Sequence, residues 1–249
     1  MSDRLDPSRD VDAGLAKGTD GAGNAGAPVE LVVFDFDGTS MKGNSPVQLV
    51  FYLWRKGMLK KRVMLRIGTW GLRYKLRLPQ DESWVRGLVF SAFEGKPKAL
   101  VDEFLHVFCD EEIEPRFRHQ ADEAIAAHHA KGRVVLLVSA TFEPIVERIM
   151  ERHDYDHHFA TRMRLDSRGN YTREVDGLPV EGAEKLRLVR LYADKTYGEG
   201  NWKLAYAYGD HHSDRTLLDA AEHPCAVTPD QPLERTAKKK HWEILNWDN

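Results

Sequence analysis

Asp35 and Asp37 stand one residue apart at the end of the apolar run Leu31-Val32-Val33-Phe34, and Gly38-Thr39 follows them. Period-2 alternation points both carboxylates to the same side of a strand end. Two anions held together there call for a cation between them, and the C-terminal edge of an open α/β sheet is where such groups meet ligands. A polar strand end turning through Asp-Gly is the plainer use of the same residues.

Three more segments carry polar groups suited to phosphate chemistry. Ser139 is expected to end a second apolar strand, Val134-Val135-Leu136-Leu137-Val138, with Ala140 and Thr141 after it. Its hydroxyl and the adjoining backbone N–H groups suit a phosphate oxygen, or alternatively a helix cap. Lys185 lies near the start of a helix that is apolar along one side, where a cation opposes the helix dipole, so it has either a role at the site or the plain one of a solvated surface lysine. Gly209-Asp210-His211-His212-Ser213-Asp214 follows a third strand, Leu204-Ala205-Tyr206-Ala207-Tyr208, and adds two carboxylates, enough oxygen ligands for a hard cation such as Mg²⁺. The paired histidines have no further Cys or His at ligand spacing, so they read as solvated loop residues.

The elements that must position these groups alternate. Helices are predicted over 115–130, 142–152, 183–192 and 214–221. A strand pair over 158–175 turns at Ser167-Arg168-Gly169-Asn170, and a short strand covers Cys225-Ala226-Val227. Strands alternating with helices imply a parallel sheet covered on both faces. Residues from about 46 to 118 are mostly helical in pattern and interrupt the alternation directly after the Asp pair, which makes them an insert.

Bulk properties are those of an ordinary globular protein of one or two domains. The chain has 249 residues, 42% hydrophobic and 30% charged, and its net charge of -3 names no partner and no nucleic acid. Cys109 and Cys225 make neither a CxxC nor a Cys/His ligand pattern, which fits a reducing, cytoplasmic setting. No run of about 18 apolar residues is present to span a membrane. Residues 1–28, rich in Gly, Ala and Asp, read as a disordered leader.

Taken in order, Asp35-Phe36-Asp37-Gly38-Thr39, Ser139, Lys185 and Gly209-Asp210-x-x-x-Asp214 resemble the motif series of the haloacid dehalogenase superfamily of phosphotransferases. The helical insert between the first two motifs, Tyr171-Thr172 before Gly182-Ala183-Glu184-Lys185, and Ala226-Val227-Thr228-Pro229-Asp230 resemble its phosphoserine-phosphatase-like branch, subfamily IB. The resemblance implies a Rossmann-like parallel sheet sandwiched by helices, with an inserted all-helical cap. The core would be 29–45 plus 119–249, and the cap 46–118. It implies a Mg²⁺-dependent phosphomonoester hydrolase in which Asp35 is the nucleophile and Asp37 the general acid and base. Mg²⁺ would be held by Asp35, the backbone carbonyl of Asp37 and Asp210, supported by Asp214. Ser139, Ala140 and Lys185 would bind the phosphoryl oxygens. The substrate would be a small phosphometabolite or a lipid phosphate. One position departs from the pattern: nine residues after the nucleophile, where phosphoserine phosphatases carry a glutamate for the substrate ammonium, this chain has Asn44, so phosphoserine is not the expected substrate. Two other functions fit the same residues, a non-catalytic module binding an anionic membrane or a partner, and phosphoryl transfer to an acceptor other than water.

The insert has its own asymmetry. Between Gly38 and Gln80 there is no acidic residue, against Lys42, Arg55, Lys56, Lys60, Lys61, Arg62, Arg66, Arg73, Lys75 and Arg77. If residues 59–78 form one helix, Arg62, Arg66, Arg73 and Arg77 run as a stripe between two apolar strips. The region 46–78, with Phe51, Trp54 and Trp70, then offers peripheral contact with an anionic membrane or lipid substrate, a pocket for a polyanion, or a solvated face over cap core.

Overall fold

The computed structural model describes residues 26–59 and 82–248. The arginine stripe, Trp70 and most of the leader lie outside them. The chain divides into two compact units, one of residues 1–43, 116–162 and 177–249, the other of 44–115 and 163–176.

The first unit is built on six parallel strands in the spatial order β3-β2-β1-β6-β7-β8. The strands are β1 (Val29–Phe34), β2 (Val134–Phe142), β3 (His157–Thr161), β6 (Trp202–Gly209), β7 (His223–Val227) and β8 (Glu243–Leu245). The chain winds outward from β1 to β3 and then returns to place β6 on the other side of β1. That reversal opens the crevice at the C-terminal ends of β1 and β6 where such sheets bind ligands. Alternation decides the two faces of β1. Leu31 and Val33, both fully buried, share a core with Val189, Tyr192 and Ala193 of α6 (Ala183–Tyr197), Leu217 and Leu218 of α7 (Arg215–Asp219), and Leu233 and Ala237 of α8 (Gln231–Lys240). Phe34 faces the other way, its ring stacked on Tyr208 at 4.2 Å between centroids and meeting His128 of α4 (His119–His129) edge-on at 6.4 Å. Helix α5 (Glu143–Met150) follows β2 directly.

The C-terminal residues fold back on this unit. Arg118, nearly buried, donates to the carbonyl of Trp247 and to Asp248 Oδ1 (2.5 and 2.9 Å), and lies 3.4 Å from the carbonyl of Gly38.

In the second unit, α1 (Ser45–Arg55), α2 (Glu82–Phe93) and α3 (Lys98–Phe108) gather Tyr52, Phe93, Phe104 and Phe108 into an aromatic cluster. The hairpin of β4 (Met163–Leu165) and β5 (Tyr171–Val175), which the sequence places with the core, belongs to this unit instead. Backbone bonds from Gly95 to Tyr171 (2.8 Å) and from Tyr171 to Lys96 (3.0 Å) hold it there, and the Tyr171 hydroxyl donates to Asp102 Oδ1 at 2.5 Å. Phe51 and Trp54 are about half exposed, while Arg55 and Lys56 pair with Glu112 and Glu111, so part of the basic excess is compensated locally. Among the described residues, no helix is long and apolar enough to cross a membrane.

Candidate active site

Register brings the first and last motifs together. Phe34 pairs with Tyr208, and the Asp35 N–H donates to the Tyr208 carbonyl at 2.9 Å, so Asp35 leaves β1 at the level where Asp210 leaves β6. Asp35 has the parity of Leu31 and Val33 and therefore faces α6. Along that helix Lys185, Leu188, Val189, Tyr192 and Ala193 form one buried stripe at helical spacing, and Lys185 is its first member. Its ammonium, 4% exposed, donates to Asp35 Oδ1 at 2.6 Å and to Asp214 Oδ1 at 2.7 Å.

Asp35 is fixed from several sides. Ser40 Oγ donates to its carbonyl at 2.6 Å and takes a bond from the Tyr155 hydroxyl at 2.9 Å. Thr39 Oγ1 approaches Oδ2 only loosely, at 3.4 Å. Asp214 Oδ2 accepts the His211 N–H at 3.3 Å, which closes the Gly209–Asp214 turn around its carboxylate. Asp35, Asp210 and Asp214 offer oxygens that all lie within 4.8 Å of one another.

The approach of backbone to carboxylate explains two glycines where a side chain has no room, and at Gly38 the backbone conformation is also one that L-residues rarely adopt. A Cβ on Gly38, whose φ is +78°, would lie 2.0 Å from Asp210 Oδ2, and one on Gly209 would lie 2.9 Å from the Asp214 Cβ.

This cluster is short of positive charge. Burial raises the Asp35 carboxyl to about 7 against the opposing pull of Lys185, with Asp214 adding repulsion. Burial, then the charge of Asp35, pushes Asp210 well above the carboxylate range. Lys185 is driven up by Asp214 and Asp35, although burial works the other way, so it stays charged. A hard divalent cation among these oxygens would relieve the repulsion, and an all-oxygen donor set is the set such a cation takes.

Ser139 does not end β2. The strand continues to Phe142, and its register against β3 slips between Val138 (paired with Phe159) and Phe142 (paired with Thr161). Ser139, Ala140 and Thr141 occupy that irregularity, a device that re-aims side chains beside active sites. Ser139 Oγ accepts the Thr141 N–H at 3.0 Å, leaving its own hydroxyl hydrogen to be donated. Thr141, to which the sequence assigns no role, donates its hydroxyl to Asp37 Oδ2 at 2.8 Å. Asp37 thus stands apart from the three clustered carboxylates, held by a hydroxyl from the neighbouring strand. Only an extra polar residue after Ser139 marks Thr141 in the sequence.

The chain is similar to several known proteins. Over 223 residues the chain is 26% identical to a histidinol-phosphatase of Neisseria meningitidis, covering 87% of this chain and 98% of that one. A crystal structure of a Bordetella pertussis protein of unknown function superposes with a TM-score of 0.77 at 24% identity, over 89% of this chain and all of the other. A substrate-bound phosphoserine phosphatase has the same fold, with a TM-score of 0.61 at 20% identity over 88% of this chain and 94% of that chain. The family model for haloacid dehalogenase-like hydrolases matches residues 32–219, which run from inside β1 to the end of α7 and take in every residue of the carboxylate–lysine cluster: the chain belongs to that family.

Proposed function

We propose that the protein is a Mg²⁺-dependent phosphomonoester hydrolase that works through an aspartyl-phosphate on Asp35. The observation that carries the reading is the Lys185 ammonium seated between Asp35 and Asp214 at the sheet switch point, with Asp210 beside them. Membership in a hydrolase family and the likeness to a histidinol-phosphatase support it.

Asp35 Oδ1 is engaged by Lys185, so Oδ2, which Thr39 approaches at 3.4 Å, is the oxygen to attack phosphorus. Asp37 takes the acid–base role. With Thr141 donating to Oδ2, the proton for the leaving oxygen sits on Oδ1, and the same oxygen later accepts a proton from the attacking water. Ser139 and the Ala140 N–H bind phosphoryl oxygens, and Lys185 neutralises charge on the nucleophile and the transferring group. Asp35, Asp210 and the Asp37 carbonyl would hold Mg²⁺, with Asp214 supporting the set through Lys185. When bound, the cation supplies charge neutralisation and Lewis-acid polarisation of the phosphoryl group.

Asn44 caps α1, its Oδ1 accepting the Val47 N–H at 3.1 Å, so it serves the helix and is not placed by its chemistry to meet an ammonium. We therefore assign the leaving group to a small phosphometabolite other than phosphoserine or to a lipid phosphate. We assign the selection to the insert 46–118 acting as cap. Turnover of an aryl phosphate, and then of a panel of soluble and lipid phosphate monoesters, measured with Mg²⁺ and with chelator, tests the reading. Asp35→Asn should fold and lose turnover by at least about 10⁴-fold. Wild-type turnover in that variant, or undiminished turnover in chelator, would refute the mechanism.

A further inference from the structure

The loop that carries Asp210 continues into His211 and His212, and the phosphatase chemistry uses neither ring. His211 Nδ1 lies 3.0 Å from Ser213 Oγ, which sets the ring so that Nε2 faces Asp230 Oδ2 at 3.5 Å. His212 Nδ1 lies 3.1 Å from the same oxygen. The three groups have ligand atoms all within 4.8 Å of one another. Asp230 comes from the start of α8 and is itself anchored. Its Oδ1 accepts the Leu233 N–H at 2.8 Å, and its own N–H donates to the Asp210 carbonyl at 2.8 Å. From the other side, Arg215 Nε donates to the His212 carbonyl at 3.0 Å.

These separations have the size a metal needs. Nitrogen and oxygen ligands about 2.0–2.1 Å from a tetrahedral Zn²⁺ lie roughly 3.3 Å apart. The two measured donor separations, 3.1 and 3.5 Å, fall on either side of that value. His211 Nδ1 also accepts the Ser213 N–H at 3.4 Å, so on metal binding the ring proton would move from Nε2 to Nδ1, where Ser213 Oγ can accept it, the outer-shell arrangement usual for ligating histidines. His212 is exposed, so a fourth position opens to solvent.

We propose that His211, His212 and Asp230 form a second metal site, for a borderline transition-metal cation such as Zn²⁺, Co²⁺ or Ni²⁺. Its two nitrogens distinguish it from the oxygen-only cluster of Asp35, Asp210 and Asp214, which suits a hard cation. An ion there would tie the first turn of α8 to the Gly209–Asp214 loop, and through the Asp230–Asp210 backbone bond it would stiffen the seat of Asp210. The site is independent of the hydrolase reading.

Equilibrium dialysis of the untagged full-length protein against Co²⁺, with Mg²⁺ in large excess, tests it. One Co²⁺ per chain, with the visible bands of a nitrogen-ligated four-coordinate ion, is expected in both wild type and Asp35→Asn. Binding should weaken by at least about tenfold in His212→Ala and in Asp230→Asn. The latter keeps α8 capped, because Asn caps as well as Asp, and thermal melts establish that each variant is folded. Undiminished Co²⁺ binding in Asp230→Asn, or loss of binding in Asp35→Asn, would overturn the proposal.

Discussion

Replacing Gly38 with alanine tests whether the place of Asp210 matters to catalysis, because two costs fall on that position and only one concerns the site. The first is backbone strain, since Gly38 has a φ of +78°. An L-residue held in that region costs about 1–2 kcal/mol. The second is encroachment. The new Cβ would lie 2.0 Å from Asp210 Oδ2 and 2.4 Å from its Cγ, separations no pair of non-bonded heavy atoms sustains, so the carboxylate must leave its seat beside Asp35. Gly132, with φ +70° and nothing within 4 Å of its Cβ position, bears the first cost alone. Gly132→Ala should therefore lose about 1–2 kcal/mol, or roughly 2–8 °C in melting temperature, and keep its turnover. Gly38→Ala should lose that amount plus about 1–3 kcal/mol of overpacking. Its Mg²⁺-dependent turnover should fall by about 10–100-fold or more, on the order seen when ligand-orienting groups are removed. Urea unfolding and aryl phosphate turnover, measured on both variants across a Mg²⁺ titration, give the two readings separately. Wild-type turnover and Mg²⁺ response in Gly38→Ala would mean that Asp210 is not needed where it stands.

Lys185→Met removes the cation between two buried carboxylates at nearly constant volume and should cost about 3–5 kcal/mol in urea unfolding without metal. That cost should grow as pH rises, since a carboxyl whose folded pKa is raised loses stability on ionising; a pH-independent loss would refute the charge argument. Thr141→Val leaves Asp37 without its hydroxyl donor, and kcat should fall about tenfold with KM little changed, more for alkyl than for aryl phosphates. An equal effect on both leaving groups would remove Thr141 from the acid–base apparatus. Burial, then the charges of Arg133 and Lys131, lowers His128 to about 4 from an ordinary 6.5. Between those values the unfolded chain binds a proton that the folded protein does not, so stability should fall by up to about 3 kcal/mol as pH drops from about 6.5 to about 4. His128→Gln should flatten the profile by that amount, whereas parallel profiles for the two proteins would show that His128 is not buried neutral.

The ends of β1 and β6 were legible in the sequence because each is an apolar run broken abruptly by carboxylate and glycine, a local signal that needs no knowledge of partners. Lys185 was legible for a related reason, as a charge at the head of an otherwise apolar helical stripe. Ser139 misled as a strand end: the apolar run stops there, yet the backbone goes on pairing after a register slip that leaves no mark in composition. Thr141 meeting Asp37 and Asp230 meeting His211 and His212 are contacts between segments far apart in the chain. Their residue types are ordinary for a strand and a helix cap, so only the fold reveals them. The hairpin of β4 and β5 illustrates the same limit, since its alternation announces two strands but not which unit they join.

The central position of β1 has a consequence for how the protein is made. Its partners β2 and β6 lie about 100 and about 170 residues further along the chain. A polypeptide emerging from the ribosome therefore carries a largely apolar, unpaired strand through the synthesis of the whole insert. The pair Asp35 and Asp210 meets only after β6 has been translated, so no shortened nascent chain can acquire the site. Closing loops of this length makes slow, chaperone-sensitive maturation the expected behaviour, with β1 the segment to protect while the rest is built.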